Sequence, residues 1–183
     1  MSDNQSLTAA ETKNIIDTAN AMADAAREVI LSHFRSNSLV SENKSLHSFD
    51  PVTDADKDAE KVMIGELKKR RPNDGVLGEE FGELNGESLY RWVLDPIDGT
   101  RAFIAGAPTW GVLISIEKIG AGPIFGIIDQ PYIGERFFGG LGLAEYRNRG
   151  ESIKLKTSNV EEIENAILLS TFPEIGTEKD RKA

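Results

Sequence analysis

The chain has 183 residues, of which 39% are apolar and 28% charged, and this composition is typical of a globular protein with a sizeable core. A net charge of −9 argues against nucleic acid or an anionic membrane as a partner, because both require clustered Lys and Arg. The absence of cysteine excludes disulfides, zinc–thiolate sites and thiol catalysis. We see no signal peptide and no run near the roughly 18 apolar residues that span a bilayer, so we expect a cytoplasmic protein.

The first third of the chain predicts two helices. Apolar residues recur at helical spacing from about Thr8 to Phe34, and Thr8 followed by Glu11 fits a capping box. A polar connection over 36–50 leads to a second amphipathic helix from about Asp54 to Arg70.

The remainder predicts short strands separated by Gly and Pro. The β-type runs are Val76–Leu77, Tyr90–Leu94, Trp110–Ile119, Ile124–Ile128 and Arg136–Phe138, with a further strand near Ala166–Thr171. Two helices followed by what reads as an antiparallel meander favour a layered α+β fold.

One cluster of acids follows the apolar run Trp92–Leu94. Asp95 comes at the predicted strand end and Asp98 three residues later, so the two carboxylates can share one cation or bind two neighbouring ones. Gly99 and Thr100 open a short predicted helix, which Asp98 would cap and whose free amides could bind phosphate. The alternative, a capped turn without a ligand, leaves costly acids beside an apolar strand. The spacing differs from that of an aspartyl nucleophile, which makes a metal-activated water the better candidate.

Two further acidic clusters are ambiguous when each is taken alone. Asp50, Asp54, Asp56 and Asp58 lead into the second helix, where acids can cap the helix or bind a ligand; the two interpretations are balanced for Asp54, and capping is favoured for Asp58. An EF-hand is excluded, because Ala59 and Gly65 occupy its glycine and closing glutamate positions. Gly78–Glu80 follows a short strand and by itself is typical of a solvated turn.

Taken together, the three clusters resemble the motifs of the inositol monophosphatase family. The chain has the Gly-Glu-Glu segment at Gly78–Glu80 and Trp-x-x-Asp-Pro-Ile-Asp-Gly-Thr at Trp92–Thr100. The upstream Asp-x-Val-Thr-x-x-Asp is matched at Asp50–Asp56. The resemblance implies the layered α-β-α-β sandwich of the sugar-phosphatase superfamily and a Mg²⁺-dependent phosphomonoesterase.

The resemblance also implies ligands for two or three Mg²⁺ ions. The first ion would be held by Glu79, Asp95 and the backbone carbonyl of Ile97, and the second by Asp95 and Asp98. A third, weaker ion would lie beside Glu79. The remaining implied roles are orientation and deprotonation of water by Thr100 and Asp56, which with Glu79 form the catalytic set, and phosphate binding by the amides of Gly99 and Thr100.

The residues after the third motif resemble a subgroup of the family. Arg101–Gly106, with Asp129-Gln130-Pro131 downstream, looks like the histidinol-phosphate phosphatases, which implies hydrolysis of histidinol phosphate in histidine biosynthesis. Arg101 could contact substrate or pair with a nearby acid. An inositol phosphate, a sugar bisphosphate or a 3′-phosphonucleotide are alternative substrates.

The family is longer than this chain, so we expect residues 1–183 to form its N-terminal α+β metal-binding domain without the C-terminal α/β part. The resemblance implies a homodimer, and a complementing C-terminal fragment is a second possible partner. Two alternatives stay open: a non-catalytic metal- or phosphate-binding module, and a truncated product that exposes an apolar surface.

Overall fold

The structure, a computed structural model, describes residues 7–37, 39–43 and 51–169, and two long helices precede its main sheet. They are α1 (Ala9–His33) and α2 (Asp54–Arg70), as the apolar spacing predicted. The predicted capping box of α1 is present, because the Glu11 amide donates to Thr8 Oγ1 at 3.2 Å and the Thr8 amide donates to Glu11 Oε2 at 3.0 Å. No helix among the described residues is long and apolar enough to cross a membrane.

The strands form a small ribbon and one large sheet. The ribbon pairs β1 (Ser41–Asn43) with β2 (Pro51–Thr53). The large sheet has the strand order β10-β9-β8-β7-β6-β5-β3-β4. Its strands are β3 (Gly75–Gly78), β4 (Gly82–Leu84), β5 (Tyr90–Asp98), β6 (Gly111–Lys118), β7 (Gly122–Gln130), β8 (Glu135–Gly140), β9 (Leu143–Asn148) and β10 (Glu151–Lys154). Two short helical turns, α3 (Thr100–Ile104) and a 3₁₀ turn (Ile163–Asn165), complete the described elements.

The core lies between the two long helices and one face of the sheet. α1 contacts β6 and β7, and α2 contacts β5. Because successive side chains of a strand alternate between its faces, every second residue of these strands is buried under the helices. The buried apolar residues of the sheet include Val76 of β3, Trp92, Leu94 and Ile97 of β5, Val112, Ile114 and Ile116 of β6, Phe125 and Ile127 of β7 and Phe138 of β8.

A buried ionic network joins α1 to the sheet. Asp129 of β7 is fully buried, and its Oδ1 accepts hydrogen bonds from Arg136 Nε at 2.7 Å and from Arg27 Nη2 at 2.8 Å. Arg136 also donates to Asn20 and Asp24 of α1. Asp129, which the sequence associated with a substrate subgroup, therefore lies in a structural ion pair under α1.

The opposite face of the sheet is apolar and uncovered in the described residues. A concave surface of about 690 Å³ lies on it, and its lining includes Val93, Leu113, Ile128, Phe137 and Leu155. Asp95 lines the same concavity. Ile128 is half exposed, and the apolar side chains of 167–169 are almost fully exposed. These surfaces are larger and more contiguous than the scattered apolar residues of an ordinary monomer surface.

The structure confirms the layered α+β architecture and corrects parts of the strand prediction. β3 pairs with β5 in parallel, so the sheet is not a pure antiparallel meander. Residues 166–169 form no strand, and 170–171 lie outside the described residues, as does Asp50 of the first motif. β1, β2, β4, β9 and β10 were not predicted, because the first three are very short and the other two carry mixed polar residues without an apolar run.

Candidate active site

The parallel pairing of β3 with β5 brings two of the predicted metal ligands together. Gly78, the last residue of β3, is the register partner of Leu94, so Glu79 directly follows β3 and Asp95 is the next residue of β5. Because β5 continues to Asp98, Asp95 lies within the strand and not at its end as predicted. Carboxyl ends of parallel strands meet at one edge of a sheet, which is the usual place for a site in such a fold. A hydrogen bond and a charge interaction link the two side chains.

Asp95 is the most perturbed acid of the site. Burial raises the pKa of Asp95 from 3.8 to about 7, and the charge and hydrogen bond of Glu79 and the charges of Asp98 and Asp56 act in the same direction. Within the part of the chain that the structure describes, its Oδ1 is buried without a hydrogen-bond partner. An unsatisfied buried carboxylate oxygen among like charges is costly unless a cation or a proton compensates it.

The segment after Asp95 turns out of the strand through an irregularity. The register of β5 with β6 shifts between Asp95 and Asp98, and Asp98 is exposed. Gly99 follows in the left-handed region with φ 92°, and a Cβ there would lie 3.0 Å from the carbonyl oxygen of Thr109. Gly99, not Asp98 as predicted, is the N-cap of α3. A glycine is required here because positive φ is energetically unfavourable for other residues, and their Cβ would crowd the Thr109 backbone.

Backbone amides at the start of α3 were predicted to bind phosphate. The first intrahelical donors are the amides of Ala102 and Phe103, which both reach the Gly99 carbonyl. The amides of Gly99 and Thr100 therefore precede the first donors of the helix, as in other helix N-termini. Arg101 is exposed on the same helical turn.

Thr100 and Asp56 each have a hydrogen-bond partner within their own segment. The Thr100 hydroxyl donates to the carbonyl oxygen of Ile97 at 3.0 Å, so the predicted backbone ligand is itself hydrogen-bonded. Asp56 is buried at the start of α2, where its Oδ2 accepts from the Thr53 amide at 2.8 Å and the Thr53 hydroxyl at 2.6 Å. Burial nevertheless raises the pKa of Asp56, since it outweighs those two hydrogen bonds.

The oxygen atoms of the site are of the chemical type that binds a hard divalent cation, but their present arrangement fits such an ion less well. Carboxylate and carbonyl oxygens are the ligands that Mg²⁺ prefers, and the unpartnered oxygen of Asp95 is a ready ligand. Within the described ranges, however, no three Asp, Glu or His side chains form a group that could hold an ion as they stand. Glu79 and Asp95 instead share a hydrogen bond that favours the protonated form of Asp95. The residues are therefore of the right chemical type for the cation, and the Glu79–Asp95 carboxyl pair lies at the centre of the site.

Two acids that position the site were missed by the sequence analysis. Glu60 is fully buried on α2 and accepts hydrogen bonds from the amides of Glu80 and Phe81. Asp74 accepts from the indole of Trp92 at 2.9 Å and so fixes the tryptophan that opens the third motif. The available signal was an acid on the apolar face of α2, four residues after Asp56.

The fold and this carboxylate site define a class of protein, which comparisons with known proteins identify. A sequence profile described as the inositol monophosphatase family matches residues 11–181, and the chain belongs to that family.

Relatives and a solved structure agree with this membership. The chain is similar to the chloroplastic bifunctional phosphatase IMPL2 of Arabidopsis thaliana, with 40% identity over 90% of this chain and 46% of that protein. It is 39% identical to a histidinol-phosphatase of Streptomyces coelicolor, over 66% of this chain and 45% of the relative. The structure of an inositol monophosphatase from Zymomonas mobilis superposes with a TM-score of 0.61 and 36% identity, over 83% of this chain and 56% of the other. The chain thus spans about half the length of these relatives.

Proposed function

We propose that this chain supplies the metal- and phosphate-binding part of a magnesium-dependent phosphomonoesterase. The observation that carries the proposal is the pairing of Glu79 with Asp95 where the parallel β3–β5 pairing ends, with an oxygen of Asp95 that is buried and has no partner among the described residues. The net charge of −9 suits an anionic substrate only if bound cations reverse the local field. Glu79, Asp95, Asp98 and the Ile97 carbonyl would hold the cations.

The chain's own residues suit attack of water on phosphorus. Asp56 is the candidate general base, and its raised pKa brings it closer to neutrality, where a base takes up a proton most effectively. The Thr100 hydroxyl would orient the water, and the amides of Gly99 and Thr100 would hold the phosphate oxygens. When bound, magnesium supplies positive charge to the phosphate and lowers the pKa of a coordinated water.

The proposed substrate is histidinol phosphate, which would place the reaction in histidine biosynthesis. The support is the Streptomyces histidinol-phosphatase, 39% identical over 66% of this chain, together with the residues that follow Thr100. Arg101 is the proposed substrate contact, since it is exposed next to the phosphate-binding turn. Phe103 of the same segment is buried and serves the core. Inositol 1-phosphate is the second substrate to test, because the family profile and the Zymomonas protein are both named inositol monophosphatase.

The uncovered sheet face supports a further proposal about domain organisation. Residues 1–183 would be the N-terminal α+β domain, and the C-terminal α/β part of the family fold would cover the concave apolar surface beside Asp95. That part would contribute the groups that complete the second cation site. A homodimer is proposed on the family resemblance alone, and a cytoplasmic location stays a prediction.

The test is phosphate release from histidinol phosphate and from inositol 1-phosphate, with Mg²⁺ or with EDTA. Magnesium-dependent release from histidinol phosphate supports both the reaction and the substrate, whereas preference for the inositol ester overturns the substrate proposal. Asp95→Asn should abolish release, because it would empty both cation sites, and Asp17→Asn on the exposed side of α1 is the matched control. Magnesium-dependent turnover retained in Asp95→Asn would contradict the site.

A second experiment adds the C-terminal part of a family member in trans. A soluble complex with increased turnover supports the domain proposal. Tight Mg²⁺ binding without turnover, in the chain alone and in the complex, would favour a non-catalytic binding module instead.

A further inference from the structure

The turn that carries Glu79 is anchored by a buried carboxylate, that of Glu60. Glu60 is 0% exposed, and its Oε2 accepts from the Glu80 amide at 2.8 Å while its Oε1 accepts from the Phe81 amide at 2.9 Å. The amide of Glu79 interacts with the same carboxylate. Successive amides that converge on one anion form a concave backbone nest, and here the anion is part of the protein itself.

Gly78 lets the carboxylate approach this closely. A Cβ built on Gly78 would overlap with the Glu60 carboxylate, so the acid occupies the space that any other side chain would need. Gly78 is also the last residue of β3 and the register partner of Leu94. The carboxylate is therefore packed at the point where the strand ends and the turn to Glu79 begins.

Glu60 lies on the same helix as the candidate general base. Asp56 and Glu60 are four residues apart on α2 and both are buried, so they share one helix face. Through Asp56 the helix presents one side chain of the site, and through Glu60 it fixes the backbone of another. A single rigid element thus sets the placement of Glu79 relative to Asp56 and, across the β3–β5 pair, to Asp95.

We infer that Glu60 is a positioning residue, whose carboxylate fixes the backbone of 79–81 so that the Glu79 side chain is aimed at Asp95 to bind a divalent cation. The inference rests on the proposed function for its metal and on the contacts alone for its anchoring. Groups of this kind, one contact removed from a ligand, alter metal affinity 10–100-fold when they are changed.

The variant Glu60→Gln tests this role with nearly unchanged volume. An amide offers one acceptor and one donor to a pair of backbone donors, so one of the two hydrogen bonds is lost. We expect the dissociation constant for Mg²⁺, measured by calorimetry on the 183-residue chain, to rise 10–100-fold. Glu66→Gln, the same substitution at a partly exposed acid of α2 that pairs with Lys69 and Arg70, should leave the constant unchanged. A purely structural role predicts a lower melting temperature with an unchanged constant, and that result overturns the inference.

Two further measurements check the anchoring by Glu60 independently. Gly78→Ala changes no charge but displaces the carboxylate, so it should weaken Mg²⁺ binding as Glu60→Gln does; unchanged affinity in a folded Gly78→Ala chain would count against the inference. Amide hydrogen exchange at Glu80 and Phe81 should be slow in the unmodified chain and at least tenfold faster in Glu60→Gln. Equal exchange rates would overturn the anchoring whether or not the chain binds metal. If the unmodified chain binds no Mg²⁺ but the exchange difference is present, the proposed function fails and the anchoring stands.

Discussion

Gly78 faces Leu94 across the parallel strands β3 and β5, and this register puts the residues that follow them in the chain, Glu79 and Asp95, side by side. The two carboxylates come from different motifs, separated by a hairpin strand. A sheet edge of two parallel strand ends is rigid, so the pair is presented to a ligand at little cost in conformational entropy. The same edge receives Asp56 from the start of α2, within reach of the charge of Asp95.

Glu79→Gln should weaken Mg²⁺ binding at least tenfold, because it removes one of two adjacent anionic ligands. The measurement is the rise in melting temperature on addition of 10 mM Mg²⁺, about several degrees for a ligand that binds only the folded state and about zero in the variant. Glu83→Gln is the matched control, since Glu83 lies on the neighbouring strand β4 and pairs with Arg91. A full Mg²⁺ response in Glu79→Gln would rule this carboxylate out as a ligand.

Asp95 should make the metal-free protein less stable as the pH rises. The folded state favours the protonated carboxyl, since its pKa is raised from 3.8 to about 7. The stabilising contribution is therefore complete below pH 3.8 and is lost as the pH rises through about 7. Asp95→Asn in EDTA should be more stable than the unmodified chain at pH 8 by roughly 1–2 kcal/mol, a figure reduced because Asp95 keeps some contact with water.

Urea unfolding at pH 5 and pH 8 measures this difference. The advantage of Asp95→Asn should be smaller at pH 5, where both forms carry a neutral group at this position. Asp17→Asn, an exposed substitution on α1, controls for the loss of one negative charge. Equal unfolding free energies of Asp95→Asn and the unmodified chain at pH 8 would show that the pair is not strained.

Local patterns predicted the helices and the chemistry of the site, while pairing between distant segments could not be predicted from them. The bounds of α2 follow from apolar periodicity and its acidic start, both of which are local. The parallel β3–β5 pair depends on non-local contacts, and short runs such as Val76–Leu77 carry no sign of strand direction.

The supporting residues of the site were hidden for a different reason. Glu60 lies on the apolar face of α2, which signals burial, but the turn at Glu79 that it anchors cannot be identified from the local pattern. Gly99 was expected inside the short helix, but its φ of 92° and the nearby Thr109 carbonyl make it the cap. In both cases the role of the residue depends on which backbone segment packs against it, and the local sequence does not show this.

Arg136→Met should destabilise the fold without changing the cation site. The substitution keeps an unbranched side chain but leaves Asp129 fully buried, with Arg27 as its remaining ion-pair partner among the described residues. Removing one member of a buried ion pair costs about 3–5 kcal/mol, and the retained Arg27 contact favours the lower end. Chemical denaturation measures the loss, and calorimetry should find an unchanged Mg²⁺ affinity. A loss under about 1 kcal/mol would mean that water screens the pair.

Gly99→Ala should impair phosphate binding more than it impairs folding. The position combines φ 92° with a Cβ only 3.0 Å from the Thr109 oxygen, so the α3 turn must shift to admit a methyl group. Gly120→Ala is a matched control, because Gly120 has φ 82° but no atom within 4 Å of an added Cβ. Both variants pay about 1 kcal/mol for positive φ, and the difference between them isolates the crowding at α3. Inorganic phosphate, titrated in the presence of Mg²⁺, should bind Gly99→Ala at least tenfold more weakly than Gly120→Ala. Equal phosphate affinity in the two variants would remove the start of α3 from the binding site.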